Sequence, residues 1–229
     1  MERLNIPVFS GQGTTAMSSR YTQDQALNSS LSPMGALLLS SCLTAFHSEL
    51  SSLSDADLET AGVNLADFDK PSALLVIPRS SYVRNSVISG TRLLLIQTLF
   101  YLEWATRMAE MTSGTAFAEL LGQNRQYGAG ILGFSSGIIA ACVAGTSTTL
   151  LDFISNAVSA FRVTLWIGVR TELYRNRSLA ASGLQRNDDR SWSCVLLGIA
   201  LHSVNEAISS FFLQVGTLFR AQDKGIERK

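Results

Sequence analysis

The chain has 229 residues, 46% of them hydrophobic and 16% charged, and its 18 basic and 18 acidic side chains give a formal net charge of zero. That length accommodates one sizeable core with a small second lobe. The balanced charge, without a Lys/Arg-rich run, argues against a nucleic-acid partner held by a basic patch.

Apolar runs such as Ala36–Leu39 and Cys194–Leu201 are too short to span a bilayer, and the opening Met1-Glu2-Arg3-Leu4-Asn5 lacks the apolar stretch of a secretory signal. Cys42, Cys142 and Cys194 lie far apart without CxxC spacing. An odd count of that kind reads as buried free thiols in a reducing, cytoplasmic setting. His47 and His202 are the only histidines, so no His-rich metal site is expected.

Along the chain, Asn5–Phe9 predicts a short strand, closed by Ser10-Gly11-Gln12-Gly13-Thr14. Two glycines around Gln12 either leave backbone N–H groups pointing at a ligand or form an ordinary turn. Ser32-Pro33 starts a helix, with Ser as N-cap and Pro at the first helical position. Leu38, Leu39, Cys42, Leu43, Phe46 and Leu50 recur along it at helical spacing. His47, on the same helix, reads as a hydrogen-bonded structural side chain. Ser54 and Asp57 form the signature of a capping box for a short helix ending near Gly62. Ala73–Ile77, stopped by Pro78, is a strand or a buried connector. Gly90–Met111 predicts a long helix with Leu94, Gln97, Phe100, Tyr101, Trp104 and Met108 on its core face. Gln97 is the polar member of that face, either a structural hydrogen-bonder or a site residue.

Gly133-Phe134-Ser135-Ser136-Gly137 is a G-x-S-x-G sequence, with small apolar residues Ala129–Leu132 before it and the apolar Ile138–Ala144 after it. Strand, sharp turn and helix is the context in which this motif presents a nucleophilic serine. The alternative is a helix N-terminus packed tightly on a strand. The absence of charge from Gln126 to Leu151 predicts that the turn lies inside the molecule. Thr149 and Asp152 then cap a second long helix towards Leu179, with Phe153, Val158, Phe161, Leu165 and Val169 facing the core. Ala180–Arg190 reads as a linker, Trp192–Gly198 as a strand, and Ser203 with Glu206 as the cap of a last helix.

Phe9-Ser10-Gly11-Gln12-Gly13-Thr14, the elbow at 133–137 and the helical stretch Phe161–Arg170 occur in an order and spacing that resemble the starter-unit acyltransferase domain of fungal non-reducing polyketide synthases. They are also similar to the acetyltransferase domain of the fungal fatty acid synthase β subunit, through Ile167-Gly168-Val169-Arg170. The resemblance implies an α/β fold, with a FabD/lysophospholipase-like acyltransferase core of short parallel sheet and flanking helices over 1–190. An incomplete ferredoxin-like subdomain would begin over 191–229.

The same resemblance implies transfer of a starter acyl group from acyl-CoA to the phosphopantetheine thiol of an acyl carrier protein, with no permanently bound cofactor and with other polyketide synthase domains as further partners. Ser135 would be the nucleophile, and the backbone N–H groups of Gln12 and Ser136 the oxyanion hole. Gln97, Phe134, Trp166 and Ile167 would line the substrate pocket. Ile167 stands where malonyl-loading relatives carry an arginine for a free carboxylate, which implies an uncharged acyl group, acetyl or longer.

Phe134 departs from the histidine common before the nucleophile. The family's general-base histidine lies further along than this chain extends, and the context of His202 does not match it. The chain therefore reads as an N-terminal portion of such a domain, with His202 the remaining candidate base. Two other readings stay open: a non-catalytic docking remnant, and a serine hydrolase using Ser135, Asp188 or Asp189, and His202 in that chain order.

Overall fold

The structure, a computed structural model, describes residues 7–11, 20–111 and 130–181. All of them fall within the first of the chain's two units, Met1–Arg186. The described part is mostly helical α/β. A two-stranded parallel sheet pairs β1 (Val8–Phe9) with β2 (Leu132–Gly133), Val8 opposite Leu132 and Phe9 opposite Gly133. The helices are α1 (Arg20–Ser29), α2 (Pro33–Leu50), α3 (Asp55–Ala61), α4 (Ser86–Met111), α5 (Gly137–Thr146) and α6 (Leu150–Ala181). Three short 3₁₀ turns, Leu65–Asp67, Pro71–Leu74 and Ser80–Arg84, connect α3 to α4.

Local sequence sets these boundaries. Ser32 Oγ accepts the N–H of Gly35 at 3.1 Å to open α2, and Ser54 Oγ accepts that of Asp57 at 3.2 Å to open α3. Gly62 closes α3 in the left-handed region at φ 69°, where a glycine carries no Cβ penalty. The box at the head of α6 is reciprocal: Asp152 N–H donates to Thr149 Oγ1 and Thr149 N–H to Asp152 Oδ2, each at 3.1 Å. Helix α4 begins four residues before the predicted Gly90. Buried Asn85 caps it, its Oδ1 accepting from Val87 N–H at 2.9 Å while its amide donates to Ala61 C=O at 2.7 Å. Ala73–Ile77 is a connector rather than a strand: Ala73 and Leu74 belong to a 3₁₀ turn, and both are buried with Leu75.

Helix α4 is buried on every side from Thr91 to Leu99, so it is the axis of the core instead of a half-exposed helix. Helix α6 lies along it. Phe153, Phe161, Leu165 and Val169 of α6 are buried, together with Phe46 of α2 and Phe68. The two helices approach so closely at Gly168 that a Cβ there would sit 2.6 Å from the Cα of Val87. At the same crossing Glu172, fully buried, accepts the Ser86 N–H at 2.8 Å and has the Arg175 guanidinium 2.7 Å from its other oxygen. An anionic side chain at the positive end of α4 offsets the cost of burying its charge.

By length and composition α6 is apolar enough to cross a bilayer. Its buried phenylalanines and Glu172 make it a core helix here. Tyr101 packs against Phe9 in a tilted pair and stacks on Phe153, with ring centroids 5.7 and 5.5 Å apart, which ties β1 to α4 and α6. Of the cysteines, Cys42 is buried and its thiol is pushed up to about 12 by desolvation. Cys142 is a free thiol too, but it is exposed on α5 rather than buried as expected. The strand Trp192–Gly198, the box of Ser203 and Glu206, and the subdomain expected from 191 lie outside the described residues.

Two stability effects follow. Gly168→Ala forces the α4–α6 crossing apart at backbone atoms that cannot rotate away, and should cost about 1–3 kcal/mol, read as a lower urea midpoint with an unchanged slope. Asp67 is held below its ordinary 3.8 first by the Tyr82 hydroxyl, which donates to it at 2.5 Å, and then by Arg79 at 2.6 Å. Because its folded value is the lower one, its contribution is complete above the unfolded value of 3.8 and fades as pH falls through the depressed folded value. Asp67→Asn should therefore flatten the loss of stability below about pH 4, measured by urea unfolding across pH 2.5–6.

Candidate active site

The charge-free segment after β2 turns sharply into α5, and Ser135 sits at the turn with φ 53°. It is the one described non-glycine residue in the left-handed region. That conformation costs a side-chain-bearing residue roughly 1–2 kcal/mol, so the surroundings must impose it. They do so through hydrogen bonds and close packing. Phe134 N–H donates to Phe9 C=O at 2.9 Å, extending the β1–β2 ladder, and Gly137 N–H donates back to Phe134 C=O at 2.8 Å. Ile138 N–H then donates to Ser135 C=O at 3.1 Å as α5 begins.

Both motif glycines are required sterically. A Cβ on Gly133 would lie 2.6 Å from the Cα of Ile138, and one on Gly137 would lie 2.4 Å from the carbonyl oxygen of Phe9. Gly11, one of the two glycines around Gln12, is a third such position. A Cβ on Gly11 would lie 2.6 Å from the Cβ of Ser135 and 3.2 Å from its Oγ. The end of β1 thus packs directly against the serine side chain. Its signal in the sequence was the run of glycines around Gln12; the partner that needs the space was not legible there.

The structure corrects the expectation of an internal turn. Ser135 is exposed, and Leu132, Phe134 and Ile138 around it are exposed by 51, 66 and 53%. The lack of charge reflects an apolar surface on which the serine stands, not burial of the turn. Ser136 is half-buried and occupies the N-cap position of α5 without a side-chain cap bond. Gln12 lies outside the described residues, as do Asp188, Asp189 and His202.

Gln97 is brought to this site from α4. It is 7% exposed, and its Nε2 donates to the carbonyl of Ser10 at 2.5 Å, next to Gly11. Its Oε1 is buried and has no hydrogen-bond partner.

Trp166 and Ile167 are placed elsewhere. They line an open groove of about 610 Å3 with Glu49, Arg162, Val163 and Arg170, and no elbow residue contributes to its walls. Trp166 Nε1–H donates to Glu49 Oε2 at 2.9 Å, Arg162 pairs with the other oxygen of Glu49 at 3.3 Å, and the Arg170 guanidinium stands 5.9 Å over the Trp166 ring. Asp152 is consumed in capping α6 and Glu172 in the α4–α6 crossing. His47 Nε2–H donates to Phe68 C=O at 2.7 Å, as expected of a structural histidine.

This arrangement presents a serine on a sharp strand-to-helix turn. The serine is exposed immediately before the N-terminus of α5, whose positive end favours negative charge developing beside it. Among the described residues no His, Cys, Asp or Glu side chains gather as a metal site.

Comparison with known proteins matches the sequence to a family. Residues 9–217 match the family model described as "Starter unit:ACP transacylase in aflatoxin biosynthesis". The chain is 43% identical over 209 residues to orsellinic acid synthase ArmB of Armillaria ostoyae, covering 91% of this chain and 9% of that protein. It is 41% identical over 209 residues to the orsellinic acid synthase of Armillaria mellea, with the same coverage. To the orsellinic acid synthase of Beauveria bassiana it is 31% identical over 235 residues, 98% of this chain and 10% of that protein. The chain thus spans about a tenth of the length of these curated relatives. No solved structure matches it. With the family model covering most of its length, the chain belongs to the starter unit:ACP transacylase family.

Proposed function

We propose that this chain loads a starter acyl group in polyketide synthesis, and that Ser135 carries the group as an ester between acyl-CoA and the phosphopantetheine thiol of an acyl carrier protein. The observation that carries this reading is Ser135 at φ 53°, exposed, between two glycines that cannot bear a Cβ. A strained turn of this kind is maintained against its own conformational cost, which is expected where the side chain does chemistry.

In the first half-reaction Ser135 Oγ attacks the thioester carbonyl and its proton leaves to a base; the tetrahedral oxyanion collapses and coenzyme A departs as its thiol. In the second, the carrier's thiol attacks the serine ester, regenerating the Ser135 hydroxyl. The oxyanion hole is assigned to the backbone N–H groups of Ser136, at the head of α5, and of Gln12, one residue beyond the Gly11 that packs on Ser135. The base proposed from this sequence is His202, which is outside the described residues, while His47 is committed to Phe68. The fold assigned is a FabD/lysophospholipase-like acyltransferase core, with the β1–β2 pair as its described sheet.

An uncharged acyl group is favoured by the exposed Leu132, Phe134 and Ile138 beside the serine. A free carboxylate on the acyl group would call for a guanidinium fork, whereas the exposed side chains described around the serine are apolar. The relatives are named for making orsellinic acid, and the acyl group proposed for this chain is acetyl or a longer uncharged chain.

Mass spectrometry after incubation with acetyl-CoA and hexanoyl-CoA tests the proposal. The expected result is acyl adduct on Ser135, discharged by added holo acyl carrier protein, with Ser135→Ala unlabelled. Hydrolysis without transfer would make the protein a hydrolase, and an unlabelled but folded protein would make it a docking remnant. Gly11→Ala places a methyl group against Ser135 and should lower the acylation rate at least about tenfold, measured by the same adduct over time.

A further inference from the structure

Gln97 is the buried polar side chain whose role the proposed chemistry leaves open. It sits on α4 among buried Leu94, Ile96 and Leu99, and it reaches the sheet end of the molecule through one hydrogen bond, Nε2–H to Ser10 C=O at 2.5 Å. Its other amide atom, Oε1, is buried and unpartnered. A buried acceptor without a donor weakens a fold, so stability alone does not account for a glutamine at this position.

What Gln97 grips explains it better. The peptide joining Ser10 to Gly11 is planar, so a donor fixing the Ser10 carbonyl also fixes the direction of the Gly11 N–H. The same short segment touches the elbow twice. Cβ atoms built on Gly137 would meet the oxygens of Phe9 and Ser10 at 2.4 and 2.7 Å, and one built on Gly11 would meet Ser135 Cβ at 2.6 Å. A rotation of this peptide would therefore move the surface against which Ser135 rests, and with it the chain leading directly into Gln12.

We infer that Gln97 is a positioning residue for acyl transfer: its Nε2 locks the Ser10–Gly11 peptide in the orientation that aligns the serine with the oxyanion donors, rather than contacting the acyl group as part of the pocket. This assignment rests on Ser135 being the acyl acceptor.

The orientation of the amide follows from chemistry, since a carbonyl oxygen accepts only from the NH₂ end. That leaves Oε1 as a spare acceptor, whose loss should be tolerated by the fold. A substitution that keeps the volume but removes the donor separates positioning from packing.

The test measures acylation of Ser135 at saturating acyl-CoA, together with thermal unfolding, in wild type, Gln97→Met and Gln97→Glu. Gln97→Met should lose acylation rate by roughly ten- to a hundredfold, with the acyl-CoA concentration for half-saturation unchanged and the melting midpoint shifted by no more than about 4 °C. Gln97→Glu can donate to Ser10 only while protonated, so the ratio of its rate to that of wild type should rise as pH falls. Wild-type labelling with an equal rate in Gln97→Met would overturn the positioning role, as would a rise in half-saturation concentration at unchanged maximal rate, which marks substrate contact. A pH-independent ratio for Gln97→Glu would overturn it too. Wild-type protein that takes no label on Ser135 instead removes the acyl-acceptor reading, and this assignment with it.

Discussion

The approach of α5 to the end of β1 governs the rest of the site. Gly137 lies so close to the backbone of Phe9 that a Cβ there would stand 2.4 Å from its carbonyl oxygen, and the chain can pass only because that atom is missing. This contact allows a two-residue strand to turn directly into a helix, and the turn leaves Ser135 no option but the left-handed region. A larger residue at 137 would push α5 away, relax the turn and lower the serine towards the surface. The strain at Ser135 and the missing Cβ at Gly137 are two descriptions of one constraint.

Such a short sheet cannot hold that geometry alone, because two strands of two residues bury little surface. The support comes from behind. Tyr101 of α4 lies between Phe9 of β1 and Phe153 of α6, so the strand end is anchored to the pair of helices that forms the core. That pair is itself locked at Gly168 and by the buried Glu172 at the head of α4. Rigid helices holding a short, strained loop is how a catalytic side chain is kept in one orientation when its own segment contributes little stability.

Much of the fold was legible because the signals were local. The Ser32-Pro33 start of α2, the box of Thr149 and Asp152, and the motif glycines each act within a few residues of where they stand. Asn85 caps α4 locally through Val87 N–H, but the bond that holds its amide in the core, to the carbonyl of Ala61, spans 24 positions and leaves no mark in the local sequence. The exposure of the elbow escaped for a different reason. Absence of charge marks an apolar segment but does not say whether protein or substrate covers it, and Phe134 and Ile138 are exposed. Gln97 was visible as an odd polar residue, yet only the fold showed that it holds Ser10. Trp166 and Ile167 were grouped with the elbow by resemblance, whereas the walls of their groove come from α2 and α6.

The central claim is that the strained elbow exists to present Ser135 Oγ for acylation. A crystal structure of the chain soaked with a short-chain acyl-CoA tests it most directly. The account predicts an ester on Ser135 Oγ, with the residue still at positive φ and Gly137 still against the Phe9 carbonyl. An unmodified Ser135 in the ordinary helical region, or an acyl group carried instead by the exposed Cys142, would contradict it.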